Sequence, residues 1–320
     1  MSFDILGTGS RVPRKVVTND DLTEFLDTSD EWIYTRTGIR KRHVLTDETL
    51  LDLAVGSAEI ALEDAKTSPS EIGFVLAATM RGDTVTPSFA FCVAEKLGIA
   101  APAFDVNAAC VGVLYCMELA DSLISTGKAD KILIVSAEAM SKLVDWNDRA
   151  SCVLFGDGSG AMVVGKGEGR LAGILSGKPD SVSIRMPSFE GESRFNEIKA
   201  EKMVMHMDGQ EVYKFAVNAM GHEIENVCKE AGIEPWEVDW FLPHQANVRI
   251  VDACQKKFKI DKSKVLMNIA EYGNMSATSI MVLLDEFAKK GTFHRGDKLL
   301  FVAFGGGLTS GAVLIKWNKD

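Results

Sequence analysis

The sequence predicts an α/β protein built twice over, with two sheets and three helical layers stacked α-β-α-β-α. Three observations lead there. Short apolar runs alternate with longer amphipathic segments along the chain, the pattern of sheets faced by helices. Two of those runs, "KILIVSA" (131–137) and "KLLFVAF" (298–304), are apolar throughout, as strands buried on both faces are. Three segment pairs recur in the same order in the two halves, the mark of an internal repeat.

The pairs are specific. "SPSEIGFVLAAT" (68–79) resembles "IEPWEVDWFLPHQ" (233–245), each with a Pro, a Glu two residues later and an apolar run. "GKADKILIVSA" (127–137) resembles "HRGDKLLFVAF" (294–304), and "FGDGSGAMVVG" (155–165) resembles "FGGGLTSGAVLI" (304–315). The first two pairs share nearly one offset and the third a shorter one. Chance likeness of apolar strands is the alternative, but shared order favours duplication. The halves are expected at 1–170 and 171–320.

Taken in order, Leu50–Ala65 has helical periodicity and "AFDV" (103–106) strand character. "VGVLYCMELADSLIS" (111–125) is apolar on nearly every face and suits a central buried helix. Val212–Ala231 is a second amphipathic helix, and the polar stretch Gly177–Ala200 reads as an inserted excursion.

Bulk composition agrees. The chain has 320 residues, 46% hydrophobic and 25% charged, a globular profile with a large core. The longest uncharged run, Leu299–Ile315, is glycine-rich and a poor membrane span. The start carries no basic segment followed by an apolar one, so a cytoplasmic location is expected, with the six cysteines as thiols. Their spacing suits no zinc site. A net charge of −10 argues against nucleic acid and requires a local basic patch for any acidic partner.

Cys110 falls between "AFDV" and the central helix. A helix start offers unpaired N–H groups and a positive dipole end, which favour thiolate. Ala108, Ala109 and Gly112 leave room for a substrate. The competing reading is a small inert core residue, and it stands for Cys92, Cys116, Cys152, Cys228 and Cys254. His244 follows "WFL" after one proline, and Asn274 follows a Tyr-Gly turn before another apolar helix. By the repeat, Asn274 falls near the counterpart of Cys110 and His244 near that of Ala78. All three then lie at strand C-terminal ends, where open α/β sheets form sites. Alone, His244 reads as structural and Asn274 as a turn; together with Cys110 they form a constellation. His43, His206, His222 and His294 have no such setting. After the last buried run, the glycines of "FGGGLTSG" (304–311) let backbone approach a ligand, and the Gly306 and Cys110 amides together would make an oxyanion hole. A tight turn is the plainer reading of the glycines alone.

"FDVNAAC", "PHQAN", "YGNMSATS" and "FGGGLTSG", in that order, resemble the beta-ketoacyl-[acyl-carrier-protein] synthase III family of the thiolase superfamily. The likeness extends to "ILGTGSRVP", "TSDEWIYTRTGIRKRH" (28–43), "DRASCVLFGDGSGAM" (148–162) and "MDGQEVYKFAV" (207–217). It implies a thiolase-like five-layered fold and an initiating condensation of fatty acid synthesis. Cys110 would take the acyl group from acyl-CoA. His244 and Asn274 would stabilise the enolate formed as malonyl-[acyl-carrier-protein] loses carbon dioxide. No metal or redox cofactor is implied. The resemblance also implies a CoA site at Thr28, Trp32, Arg36, Arg149, Gly209 and Asn247, with the adenine between Trp32 and Arg149. It implies carrier-protein docking at Lys214, Gln245, Arg249, Lys256 and Lys257. Six basic residues against two acidic ones between Arg249 and Lys264 would steer that acidic partner. A homodimer is the family expectation. Thr86, in "DTVTPSF", stands where acetyl-selective members often carry Phe over the acyl pocket, so a longer or branched primer is expected to fit.

Other readings have stated discriminators. A reversible thiolase needs a second cysteine in the C-terminal glycine motif, and "GGGLTSGAV" has none. A condensing enzyme of polyketide or secondary metabolism would keep the same triad. A cysteine hydrolase would share the order Cys, His, Asn but lacks the local signature around its cysteine. A non-catalytic carrier-binding scaffold would not need the triad.

Overall fold

The computed structural model describes residues 2–188, 194–195 and 201–319. The chain begins β1 (Ser2–Arg11), β2 (Lys15–Thr18), α1 (Asn19–Leu22), α2 (Asp30–Thr37), β3 (Lys41–Val44) and α3 (Leu50–Asp64). It continues β4 (Phe74–Ala78), α4 (Phe89–Leu97), β5 (Ala103–Val106), α5 (Gly112–Ser125), β6 (Lys131–Ala139) and β7 (Asp157–Gly167). Then come β8 (Arg170–Asp180), β9 (Ile184–Arg185), β10 (His206–Met207), α6 (Gly209–Ala231) and β11 (Trp240–Pro243). The last elements are α7 (Val248–Phe258), α8 (Ile269–Tyr272), α9 (Thr278–Lys289), β12 (Lys298–Gly305) and β13 (Gly307–Lys316).

The strand order is used twice. One sheet runs β1-β7-β6-β4-β5 and the other β11-β12-β13-β8. From its far end, the second places β8, β13, β12 and β11 where the first has β1, β7, β6 and β4. The pairings match too: antiparallel, antiparallel, then parallel. A parallel bridge from Phe241 to Val265 stands where β5 joins β4. Lys131 pairs with Gly165 and its repeat partner Lys298 with Lys316, which is why the third segment pair has a shorter offset.

The core follows the alternation of side chains along each strand. Ile132 and Ile134 face inward with Leu299 and Phe301, against Leu114 and Met117 of α5 and Ile280 and Leu283 of α9. Leu133 and Val135 face outward to α3 and α4. Leu300 and Val302 face outward to Val212, Met220 and Ile224 of α6. These are the five layers. Burial between two sheets is why α5 is apolar on nearly every face, each fully buried leucine contributing roughly 2 kcal/mol. One expectation shifts. Gly177–Asp180 completes β8, paired to β13, so the excursion begins later; Ile184–Arg185 pairs with His206–Met207, and residues 189–193 and 196–200 lie outside the described residues.

Candidate active site

The C-terminal ends of the parallel strands converge. After β5 the chain makes a tight 3-10 turn, Ala109–Val111, that carries Cys110 into α5. Ala109 sits at φ 46, in the left-handed region. Such a conformation costs about 1–3 kcal/mol in a non-glycine residue and persists where its surroundings impose it. Ser276, at φ 53, is held the same way on the approach to α9.

Ser276 joins the constellation. Its hydroxyl donates to Cys110 Sγ at 3.4 Å, and its amide donates to Asn274 Oδ1 at 2.8 Å. With Oδ1 so committed, Nδ2 is the group Asn274 has left to donate to a ligand. The Asn274 backbone is locked to the other half, its amide donating to Leu154 O and its carbonyl accepting from Gly156. His244 follows β11, is 1% exposed, and packs edge-on against Phe304 at 5.4 Å. Both its ring nitrogens are buried without a hydrogen bond of ordinary geometry among the described residues, though the Ser276 backbone lies close enough to act on the ring. Gly305, at the end of β12, closes the site: a Cβ there would lie 2.9 Å from Cys110 N. Gly305 is therefore the glycine in closest approach, while Gly306 is partly exposed against Ile184. Ser276 and Gly305 were missed in the sequence. Each lies inside a quoted motif, but a serine and one of three glycines look like turn residues without the packing.

The electrostatics correct the expected thiolate. Burial pushes the Cys110 thiol up to about 11, with the Ser276 hydroxyl pulling the other way. Burial pulls the His244 imidazole down to about 4. Desolvation outweighs the Ser276 bond to the sulfur, so the resting pair is a neutral thiol and a neutral imidazole. Cys116 is pushed higher still and stays inert.

His244 also makes acid stability testable. Its unfolded value is 6.5 and its folded value is depressed, so its contribution is full above pH 6.5 and is lost as pH falls to about 4. The loss is about 3 kcal/mol. Urea unfolding at pH 7 and pH 4.5 should show H244N losing less stability than the wild type, a comparison that cancels carboxyl groups common to both. Equal losses would contradict a buried neutral His244.

The other sequence-predicted residues fall into three places. Trp32 of α2 carries the Arg36 guanidinium 4.5 Å and the Arg149 guanidinium 4.8 Å from its ring centre. Arg149 is tethered to Asp27 by a bond to its carbonyl and an ion pair at 3.6 Å. An aromatic ring entering between Trp32 and Arg149 must displace one of them. Thr28 Oγ1 nearby is buried without a partner among the described residues. Gly209 opens α6, and a Cβ there would meet open space, so packing does not demand glycine. Asn247 caps α7 by accepting from the Arg249 amide.

Arg249, Lys256 and Lys257 are exposed on α7, and Lys214 on the neighbouring α6. Arg249 reaches Thr35 O at 2.9 Å and Lys214 pairs with Glu211 at 2.7 Å. Gln245 does not belong with them. It is 1% exposed and bonds to Asn268 through Nε2 and Oε1, so it braces the loop before α8 rather than meeting a partner. Thr86 is exposed in the loop before α4. A large cleft of about 890 Å³, lined by Trp236, Phe258, Lys229 and Lys264, contains none of these residues.

Comparison with known proteins agrees with this geometry. The family model described as 3-Oxoacyl-[acyl-carrier-protein (ACP)] synthase III matches residues 104–181, and that of its C terminal matches 228–317. The beta-ketoacyl-[acyl-carrier-protein] synthase III of Desulfitobacterium hafniense is 45% identical, over 100% of this chain and 99% of its own. That of Clostridium acetobutylicum is 40% identical over 99% of each. The crystal structure of the 3-oxoacyl-[acyl-carrier-protein] synthase III from Aquifex aeolicus superposes with a TM-score of 0.92 at 42% identity, covering 98% of this chain and 99% of the other. A priming beta-ketosynthase of a polyketide pathway superposes equally well, at 30% identity over 99% and 97%. With both halves matched and the fold shared end to end, the chain belongs to the beta-ketoacyl-[acyl-carrier-protein] synthase III family of condensing acyltransferases.

Proposed function

We propose that this chain joins an acyl-CoA primer to malonyl-[acyl-carrier-protein], initiating fatty acid synthesis through an acyl-Cys110 intermediate. Cys110 sulfur attacks the primer thioester, and its proton leaves with CoA. The Cys110 and Gly306 amides bind the oxyanion, supported by the close pass of Gly305 over Cys110. Malonyl carrier protein then loses carbon dioxide to give an enolate, whose oxygen accepts from His244 and Asn274 Nδ2. The enolate carbon attacks the acyl-Cys110 carbonyl and expels sulfur, which takes a proton from solvent. Carbon dioxide loss supplies driving force without a metal or redox step.

One observation carries this over hydrolysis. Burial moves the thiol up and the imidazole down, the opposite of a thiolate–imidazolium pair. A neutral imidazole has one N–H to give, which suits an enolate oxygen.

The same reading places the CoA adenine against Trp32, displacing Arg149 or Arg36, with Thr28, Gly209 and Asn247 along the rest of the molecule. It places the acidic carrier on Lys214, Arg249, Lys256 and Lys257. Two chains would pair through β5, an edge strand whose Phe104 is 38% exposed, flanked by Phe91 and the 95% exposed Val85. Thr86, exposed next to Val85 in the chain, would reach the partner's acyl pocket. The halves 1–170 and 171–320 would be products of duplication. None of the helices among the described residues is long and apolar enough to cross a membrane, and the free thiols support a cytoplasmic setting.

Intact-mass analysis after incubation with acetyl-, isobutyryl- and octanoyl-CoA, followed by malonyl carrier protein, tests the reading. The expected result is a Cys110 adduct with more than one primer, then its loss into a ketoacyl carrier. Acetyl-only labelling removes the Thr86 argument. Free acid and CoA as products would mean a hydrolase.

A further inference from the structure

Glu138, next to last in β6, is a buried acid that no step above uses. Its position follows from two stacked levels of side chains. At the lower level, Ser136 Oγ donates to Ala78 O at 3.1 Å and pairs with Thr278 Oγ1 at 2.9 Å. Gly112 lies there too, since a Cβ on it would be 3.1 Å from Ala78 Cβ. Each of these residues has a counterpart two positions away, toward the site. Ser136 leads to Glu138, Ala78 to Met80, Thr278 back to Ser276, and Gly112 back to Cys110. Ser136 and Glu138, two apart on β6, share a face, while Cys110 and Ser276 lie in the turns that lead into α5 and α9. The upper level holds two bonded pairs, Met80 N donating to Glu138 Oε1 at 3.0 Å and Ser276 Oγ donating to Cys110 Sγ, and the Glu138 charge acts on the Cys110 thiol across them.

The Glu138 side chain is fully buried, and Oε2 has no partner among the described residues. The titratable groups that Glu138 acts on or feels are Cys110 from the turn before α5 and Asp157 from β7. Asp157 lies opposite Ala139 and accepts from the Leu45 and Ser141 amides and the Ser141 hydroxyl. Burial, with the Asp157 charge behind it, holds the Glu138 carboxyl well above the usual carboxylate range.

We propose that Glu138 is a positioning residue that acts through Cys110. Neutral, it shares the level of Cys110 without opposing the thiolate; ionised, it opposes the thiolate and sets the pH at which Cys110 becomes reactive. The functional weight of this rests on Cys110 being the nucleophile, but the coupling does not.

The test follows iodoacetamide alkylation of the Cys110 peptide by mass spectrometry from pH 6 to 10. E138Q keeps the shape and removes the charge. It should be alkylated about three- to tenfold faster than wild type at pH 9, as a shift of a unit or less in the thiol requires. Superimposable profiles would overturn the proposal. Should E138Q not fold, Glu138→Ala makes the same comparison, and alkylation no faster than wild type at pH 9 rejects the coupling. Acyl-CoA labelling run alongside separates the two ideas. No acyl adduct with shifted alkylation profiles removes the nucleophile reading and keeps Glu138; an adduct with identical profiles does the reverse.

Discussion

Cys110→Ala is expected to abolish condensation, by about 10⁴-fold or more, while leaving the fold intact. The size follows from removing a covalent step for which the site has no substitute. The other cysteines do not replace it: Cys116, Cys152, Cys228 and Cys254 are buried, and Cys92 lies on α4. Stability should change little, because Cys110 is only partly buried and its thiol is neutral at pH 7. Two readouts give the result content. Intact mass should show no acyl adduct with any acyl-CoA. Malonyl carrier protein should still lose carbon dioxide, since His244 and Asn274 remain. An adduct surviving on C110A would place the nucleophile elsewhere, and unchanged activity would revive the carrier-binding scaffold.

Asn274→Asp should separate the half-reactions. Asp keeps an oxygen to accept the Ser276 amide, so the turn before α9 survives. It loses the Nδ2 donor and puts a negative charge beside the developing enolate. Loss of one such donor typically costs 10² to 10³ in rate, and the charge adds to that. Acylation of Cys110 should fall far less, since the primer's oxyanion uses backbone amides. Single-turnover acylation and steady-state condensation, measured on one preparation, decide it. Equal losses in both would mean that Asn274 acts by holding Ser276 against Cys110, not by binding the enolate.

Most of the fold was legible. The runs at 131–137 and 298–304 became β6 and β12, and the three segment pairs became matching strands of two sheets. Leu50–Ala65 and Val212–Ala231 became α3 and α6 within a few residues at their ends. The site was legible in outline, because Cys110, His244 and Asn274 sit in distinctive motifs at equivalent strand ends. Gln245 shows where that outline misleads. Its place in "PHQAN" says nothing of which way the side chain turns, and it turns inward to Asn268. Trp32 and Arg149 were named as partners, and their stacking without a ligand was not foreseeable.

The sequence by itself determined the duplicated architecture, the family and the candidate reacting residues, since periodicity, repeats and ordered motifs are written along the chain. Tertiary structure alone decided the protonation of the site, the bond of Ser276 to Cys110, the close pass of Gly305 and the level on which Glu138 lies. Each of those depends on which groups from distant segments exclude water from one another. Desolvation of Cys110 and His244 belongs to the packed layers and not to any stretch of residues.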